Sequence, residues 1–235
     1  MDFVFEPPAR PSVAVYGSVQ RFPVRRIFCV GRNYAAHARE MGSDPDREPP
    51  FFFTKPGDAV VDAGATEHAA IPVPPLTADF HHEVELAVAI GKGGKNIEAS
   101  RATEHIYGHA VALDLTRRDL QASAKKAGRP WDWSKAFDRS APIAPIHPRG
   151  DGPAMGRGQI WLEVDGETRQ RADLDEMIWA VPDIISIASR SIELAPGDLI
   201  LTGTPAGVGP LVAGNRVRAG IDGLGELALH IEVGG

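Results

Sequence analysis

Two glutamates separated by one residue, Glu83 and Glu85, are the first positions in this 235-residue chain whose type and spacing suggest chemistry. They lie in the run Phe80-His81-His82-Glu83-Val84-Glu85-Leu86-Ala87-Val88-Ala89-Ile90. Its alternation predicts a strand with Val84, Leu86, Val88 and Ile90 on the core face, and both carboxylates on the other. On a face shielded from water the two would repel each other and want a cation between them. An all-oxygen donor set favours a hard ion such as Mg²⁺ or Mn²⁺. Taken alone, the pattern also fits the wet face of an ordinary antiparallel strand. Asp114, after the apolar run Ala110-Val111-Ala112-Leu113, can be a third ligand or can simply begin a helix by favourable interaction with its dipole. His37 and Glu40, three apart on a short helix, can form a general base whose carboxylate fixes the imidazole tautomer. A surface ion pair has the same spacing. Lys135, in Trp133-Ser134-Lys135-Ala136-Phe137, can hold an anion in a pocket or snorkel at the surface.

Positioning these residues falls to short elements. A buried strand is expected at residues 26–31, then a helix at 34–41 ended by Gly42. A strand at 51–53 leads into a turn at 55–58, and short broken strands follow from 59 to 75. A short helix around 100–105 precedes a strand at 107–115. Thr116 can cap a helix running to Lys126, stopped by Gly128 and Pro130. Residues 159–164 and 167–170 form a hairpin on Asp165-Gly166. Residues 174–191 are helical in two pieces, because Pro182 lacks an amide donor. A strand at 199–202 enters Gly203-Thr204-Pro205, and two or three strands fill 215–233. Strands outnumber helices without regular alternation, which argues against Rossmann and TIM architectures. The expected class is a mixed, β-rich α+β fold, a sandwich or rolled sheet with a few short helices. Residues 1–22 read as an arm or edge strands, and 23–235 as one catalytic domain.

Composition supports an ordinary globular protein, with 43% hydrophobic and 24% charged residues and a net charge of −6. The mild acidity argues against a nucleic-acid binder, which needs a basic face. One cysteine, Cys29, allows no internal disulfide and fits a reducing compartment. No secretory signal and no apolar run of membrane-spanning length is visible, so a cytoplasmic protein without membrane contact is expected. Gly91-Lys92-Gly93-Gly94-Lys95 lacks phosphate-loop spacing, Gly203 to Gly209 is not a dinucleotide fingerprint, and His81-His82 has no partners at zinc spacing.

Together and in order, the segments GRNYAAHAREMG from Gly31, FFFTKP from Phe51, HHEVELAVAIGK from His81, ALDLTRRDLQ from Ala112, WSKAFD from Trp133 and LILTGTPAGVGP from Leu199 resemble the fumarylacetoacetate hydrolase superfamily. The likeness covers nearly all of the chain after about residue 22. It implies an FAH-type β-sandwich or roll and a homodimer. It also implies a divalent metal, Mg²⁺ or Mn²⁺, on Glu83, Glu85 and Asp114, and a water-activating dyad of His37 and Glu40. Lys135 would contact substrate, Gln121 and Thr204 the ligand's oxygens, and Arg118 would order the same site. True fumarylacetoacetases carry a longer N-terminal domain and a further aspartate ligand without a match here, which argues against fumarylacetoacetate as substrate.

Within the superfamily, the runs REMGSDPDREPPFFFTKPGDAVV and KKAGRPWDWSKAFDRSAPIAPI look most like fumarylpyruvate hydrolases. The reaction implied is hydrolysis of the carbon–carbon bond of an acylpyruvate, a 2,4-dioxo acid, giving fumarate and pyruvate in aromatic catabolism of the gentisate type. The rival on the same site is an oxaloacetate decarboxylase or tautomerase, or a related isomerase/decarboxylase, which needs no attacking water. A non-enzymatic alternative is a β-rich binding protein holding a structural cation. An acidic acyl tail would want a cationic partner, for which Arg32, Arg117 and Arg139 are unranked candidates.

Overall fold

The computed structural model describes residues 2–40, 42, 49–64, 69–150, 152 and 154–234. Its centre is a curled eight-stranded sheet. Across it run Phe51–Pro56, Arg26–Gly31, Asp198–Leu201, Val84–Ile90, Ile106–Leu113, Ala141–Ile143 and Val60–Asp62, with His147–Pro148 also paired to Ile106–Leu113. Two pairings are parallel, Asp198–Leu201 with Arg26–Gly31 and Ala141–Ile143 with Val60–Asp62. A second sheet of five strands is ordered Glu167–Asp173, Gln159–Val164, Arg216–Ile221, Gly225–Glu232 and Ala69–Pro72. The β-rich mixed class expected from the sequence is therefore the class observed.

Both faces of the large sheet are covered. Val84, Leu86, Val88 and Ile90 meet Ile160, Leu162, Val217 and Leu229 of the five-stranded sheet, as the alternation predicted. The opposite face is dry as well. There Ala87, Ala89, Ala110 and Ala112 pack with Ile27, Cys29, Leu199 and Leu201, joined by Val13 and Phe22 of the hairpin Ser12–Ala14/Arg21–Pro23. Every residue of Val84–Ile90 is buried, so the wet-face reading of the Glu-x-Glu strand is wrong. Carboxylates in such a strand need specific compensation.

Four α-helices are described: α1 (Ala35–Glu40), α2 (Arg118–Lys126), α3 (Asp132–Lys135) and α4 (Val181–Ser191). Met41, at the expected end of the first, lies outside the described residues, as do 43–48 of the longer run that carried the subfamily likeness and 65–68 of the broken-strand stretch. The expected strand over 80–90 is two. Phe80–His82 joins Thr116–Arg117 and Gly209–Pro210 in a small sheet, and the chain changes sheets at Glu83. The cause is Gln170, whose Oε1 accepts from Val84 N–H at 3.1 Å and from His82 Nδ1–H at 3.0 Å. Thr116 does not cap a helix. Its hydroxyl donates to Asp114 O, and the helix begins at Arg118. The expected turn at 55–58 is instead strand as far as Pro56, because Phe51–Pro56 is a sheet edge where a missing amide costs no ladder bond. The 100–105 helix is a 3-10 segment, Ala99–His105. Pro182 sits in the first turn of α4, where its missing N–H is harmless, so the helical break precedes it.

Candidate active site

Strand pairing brings the carboxylates together. In the antiparallel pair Val84–Ile90 and Ile106–Leu113, Val84 faces Leu113. One step beyond, Asp114 N–H donates to Glu83 O at 2.9 Å, so the two acids stand side by side. Glu85, two residues into the strand, is held by Gly203, whose N–H donates to Glu85 Oε2 at 2.7 Å. One oxygen from each of Glu83, Glu85 and Asp114 falls within 4.8 Å of the others, and all three residues are buried. Asp114 is fully buried and four residues ahead of α2, so it does not serve as a helix-dipole acid.

Cations compensate this charge. Lys135 Nζ lies 2.8 Å from Glu83 Oε2 and 2.7 Å from Asp114 Oδ2, and α3 delivers it; it is no surface lysine. Burial works against its ammonium, but Asp114 and Glu83 outweigh that and raise its pKa. Burial likewise opposes ionisation of Glu83, yet Lys135 and Arg118 hold its carboxyl below the usual range. Glu85 goes the other way: burial, then Asp114 and Glu83, push its pKa well up. That residual pressure for positive charge, from an oxygen-only donor set, fits a hard divalent ion bound by these three carboxylates.

Arg118 ties the site's polar groups to one another. It pairs with Glu83, donates to Gln121 Oε1 at 2.6 Å, and donates through Nε to His81 Nδ1 at 3.4 Å. Gln121 therefore keeps its amide N–H groups for a ligand. Thr204 Oγ1 accepts from Gln170 Nε2 at 2.7 Å, which leaves the hydroxyl hydrogen to donate. His37, buried on α1, donates through Nδ1 to Glu40 Oε2 at 3.1 Å, so Nε2 keeps its lone pair. Gly207 N–H approaches the same Glu40 oxygen at 3.3 Å and anchors the dyad to the loop after Thr204.

A partly open pocket is lined by His37, Glu83, Glu85, Asp114, Lys135, Arg118, Gln121, Thr204 and Arg32. Of the candidate site residues singled out from the sequence, three do not line it: Glu40, which stands behind His37, and the candidates Arg117 and Arg139. Arg117 is turned elsewhere, with its guanidinium 4.5 Å from the Phe137 ring centroid, and Arg139 is exposed and absent from the lining.

Three contributors were not foreseen. Lys55 is fully buried, with Nζ 2.8 Å from Asp114 Oδ1 and donating to Leu115 O at 3.0 Å. Asn33 donates to Trp179 O and Thr202 O and accepts from Trp179 N–H, fixing the turn into α1. Gln170 joins the sheet junction to Thr204. The one signal for Lys55 was a charge two residues after the apolar run Phe51-Phe52-Phe53.

A buried cation site facing a held base is the arrangement of an enzyme that does its chemistry beside a metal. Comparison with known proteins narrows the class. The family model described as fumarylacetoacetate (FAA) hydrolase C-terminal matches residues 26–232, and the chain belongs to this family. A crystal structure of fumarylpyruvate hydrolase from Pseudomonas aeruginosa, in complex with Mn²⁺ and pyruvate, is 53% identical with a TM-score of 0.97, covering 99% of this chain and 100% of that one. The oxaloacetate tautomerase FAHD1, mitochondrial, of Arabidopsis thaliana is 45% identical over 207 residues, 88% of this chain and 91% of the relative. The mitochondrial oxaloacetate decarboxylase of Dictyostelium discoideum is 42% identical over 200 residues, 85% and 90% of the two chains. No helix among the described residues is long and apolar enough to cross a membrane.

Proposed function

We propose that this protein is a metal-dependent hydrolase of an acylpyruvate, with fumarylpyruvate as substrate and fumarate and pyruvate as products. The observation that carries the reading is the convergence of three buried carboxylates with a histidine whose Nε2 is free to take a proton, in a chain 53% identical to a fumarylpyruvate hydrolase along its whole length. Glu83, Glu85 and Asp114 would hold Mg²⁺ or Mn²⁺, which would supply Lewis-acid stabilisation of negative charge at the pyruvoyl end. Gln121 and Thr204 donate to the oxygens of that end, and Arg118 keeps Gln121 in place. His37, oriented by Glu40, takes a proton from water, which adds to the 4-oxo carbon. The bond between C3 and C4 breaks with its electron pair passing to C3, which is then protonated. Lys135 adds positive charge beside the carboxylates and limits their mutual repulsion. A homodimer in the cytoplasm completes the proposal.

The relatives named for oxaloacetate support a second reading, tautomerisation or decarboxylation, which needs the same stabilised charge and no attacking water. Loss of the enol absorbance of fumarylpyruvate, with products identified, separates the two. The hydrolase predicts fast release of fumarate and pyruvate with Mg²⁺ or Mn²⁺ and none after chelation. Metal-dependent turnover of oxaloacetate without cleavage of fumarylpyruvate would hand the site to the second reading.

A further inference from the structure

His81 belongs to no metal-binding group among the described residues, yet both its ring nitrogens are engaged. Nε2–H donates to Asp79 Oδ1 at 2.7 Å, which leaves Nδ1 with a lone pair. Arg118, a donor without acceptor capacity, donates to that Nδ1 through Nε at 3.4 Å. The two contacts therefore require one neutral tautomer, with the proton on Nε2. Beyond them, Arg118 pairs with Glu83 and donates through Nη1 to Gln121 Oε1 at 2.6 Å. One polarity thus runs from the Asp79 carboxylate through His81 and Arg118 to Gln121.

The outer end of this chain is firmly built. Phe80–His82 pairs with Thr116–Arg117, which sets His81 opposite Thr116, just ahead of α2. Arg118 N–H donates to Asp79 O at 2.7 Å, so the helix that carries Arg118 and Gln121 starts on the backbone of Asp79. Asp119, next on α2, accepts from the Thr77 hydroxyl at 2.6 Å and from Ala78 N–H at 2.9 Å. Thr77 Oγ1 in turn accepts from Asp79 N–H at 3.1 Å. Residues 77–79 and the first turn of α2 are therefore tied together. The reaction proposed above gives Asp79 and His81 no task. Gln121, however, has an amide that can turn over with almost no change of shape. Turned, it would meet a ligand's oxygens with a lone pair instead of its N–H groups. Arg118 prevents this only while its own plane is held.

We infer that Asp79 and His81 are positioning residues that act through Arg118 to fix the Gln121 amide with its N–H groups towards the pocket, so that the site selects a ligand presenting an acceptor oxygen there. The inference rests on the contact of Gln121 with substrate in the reading above, and adds what enforces its direction. Outer partners that orient a binding side chain are typically worth ~10-fold or more in affinity or activity.

The test uses the Mn²⁺-loaded protein, oxalate as probe, and two amide variants that divide the imidazole between them. His81→Asn puts Oδ1 where the ring has Nδ1 and keeps an acceptor for Arg118. His81→Gln puts an amide N–H where the ring has Nε2, keeps a donor for Asp79 and offers Arg118 nothing. The His81 side chain is 14% exposed and both replacements are polar, so both variants should fold. In calorimetric titration, His81→Gln should bind oxalate at least ~10-fold more weakly than the wild type. Gln121→Leu should show a similar loss, while His81→Asn keeps most of the affinity. Mn²⁺ affinity should change far less in all three, because Lys135 still holds Glu83 and Asp114. In turnover of fumarylpyruvate, the loss in His81→Gln should fall chiefly on KM. Equal oxalate affinities in the two His81 variants, or full affinity in Gln121→Leu, would overturn the inference. If fumarylpyruvate is not cleaved while oxalate still separates His81→Asn from His81→Gln, the positioning role stands and the hydrolase reading fails. If it is cleaved and oxalate does not separate them, the hydrolase reading stands and the positioning role fails.

Discussion

Lys55 and Lys135 grip the two carboxylate oxygens of Asp114 from different strands of logic. One comes from an edge strand and the other from a one-turn helix, each within 2.8 Å. A buried acid so held is fixed in position, which the proposed metal-ligand role requires. Breaking a buried pair by removing one partner costs about 3–5 kcal/mol. Lys55→Met should therefore lower unfolding free energy by that order in denaturant titration and weaken divalent-ion binding in calorimetry; unchanged values for both would show that Lys55 is a bystander. His37→Ala is expected to differ in kind. It should retain the metal and a pyruvate-like anion such as oxalate, yet lose at least ~10²-fold in turnover. Full activity in that variant would remove the dyad from the mechanism. The carboxylates and the dyad were legible because their partners lie two or three residues away, or in a motif of fixed order. Lys55 was not, since its partner Asp114 is 59 positions along the chain and only strand pairing brings them together.

Elements explain the other gaps between sequence and structure. Hydrophobic alternation identified Val84–Ile90 correctly but could not reveal that the chain leaves one sheet for another at Glu83. That exchange depends on the side chain of Gln170, from a strand of the five-stranded sheet. Pro56 suggested a turn because proline usually ends strands, and only its place at a sheet edge makes it acceptable. The loop after Asp198–Leu201 has no periodicity to read, yet it supplies Gly203 to Glu85, Thr204 to the pocket and Gly207 to Glu40. Gly207 has φ 94°, and a Cβ there would lie 2.1 Å from Arg169 O, a backbone atom that cannot step aside. Gly214 has a similar φ of 96° with nothing within 4 Å. Gly207→Ala should thus lower Tm clearly more than Gly214→Ala, by roughly 1–3 kcal/mol of added strain, and should also depress kcat by loosening Glu40. Equal Tm losses would mean that the close approach carries no energetic weight.

At the scale of the molecule, two sheets and the N-terminal hairpin seal both faces of the strands that carry the site, so titratable groups buried there respond to pH together with the fold. His109 faces this constraint away from the carboxylates. Burial, then Arg149, lowers its pKa to about 4. An unfolded chain would protonate it near 6.5. Stability from keeping His109 neutral is therefore complete above pH 6.5, declines as pH falls towards 4, and levels off below. The loss is on the order of 3 kcal/mol at most. Unfolding curves of the wild type and His109→Gln should converge through that window, and parallel curves would contradict the burial argument. The fold class was readable in advance because strand-forming runs and turn residues are local. The dryness of both sheet faces was not, because it depends on what packs from elsewhere.

Turnover of fumarylpyruvate in H₂¹⁸O with Mn²⁺ present tests the hydrolytic role of the site most directly. The proposed hydrolysis has water activated at His37 adding to the 4-oxo carbon; on that proposal each fumarate should carry one ¹⁸O in its new carboxylate, and His37→Ala should form it at least ~10²-fold more slowly. Unlabelled fumarate, or no fumarate alongside metal-dependent conversion of oxaloacetate, would contradict the hydrolase.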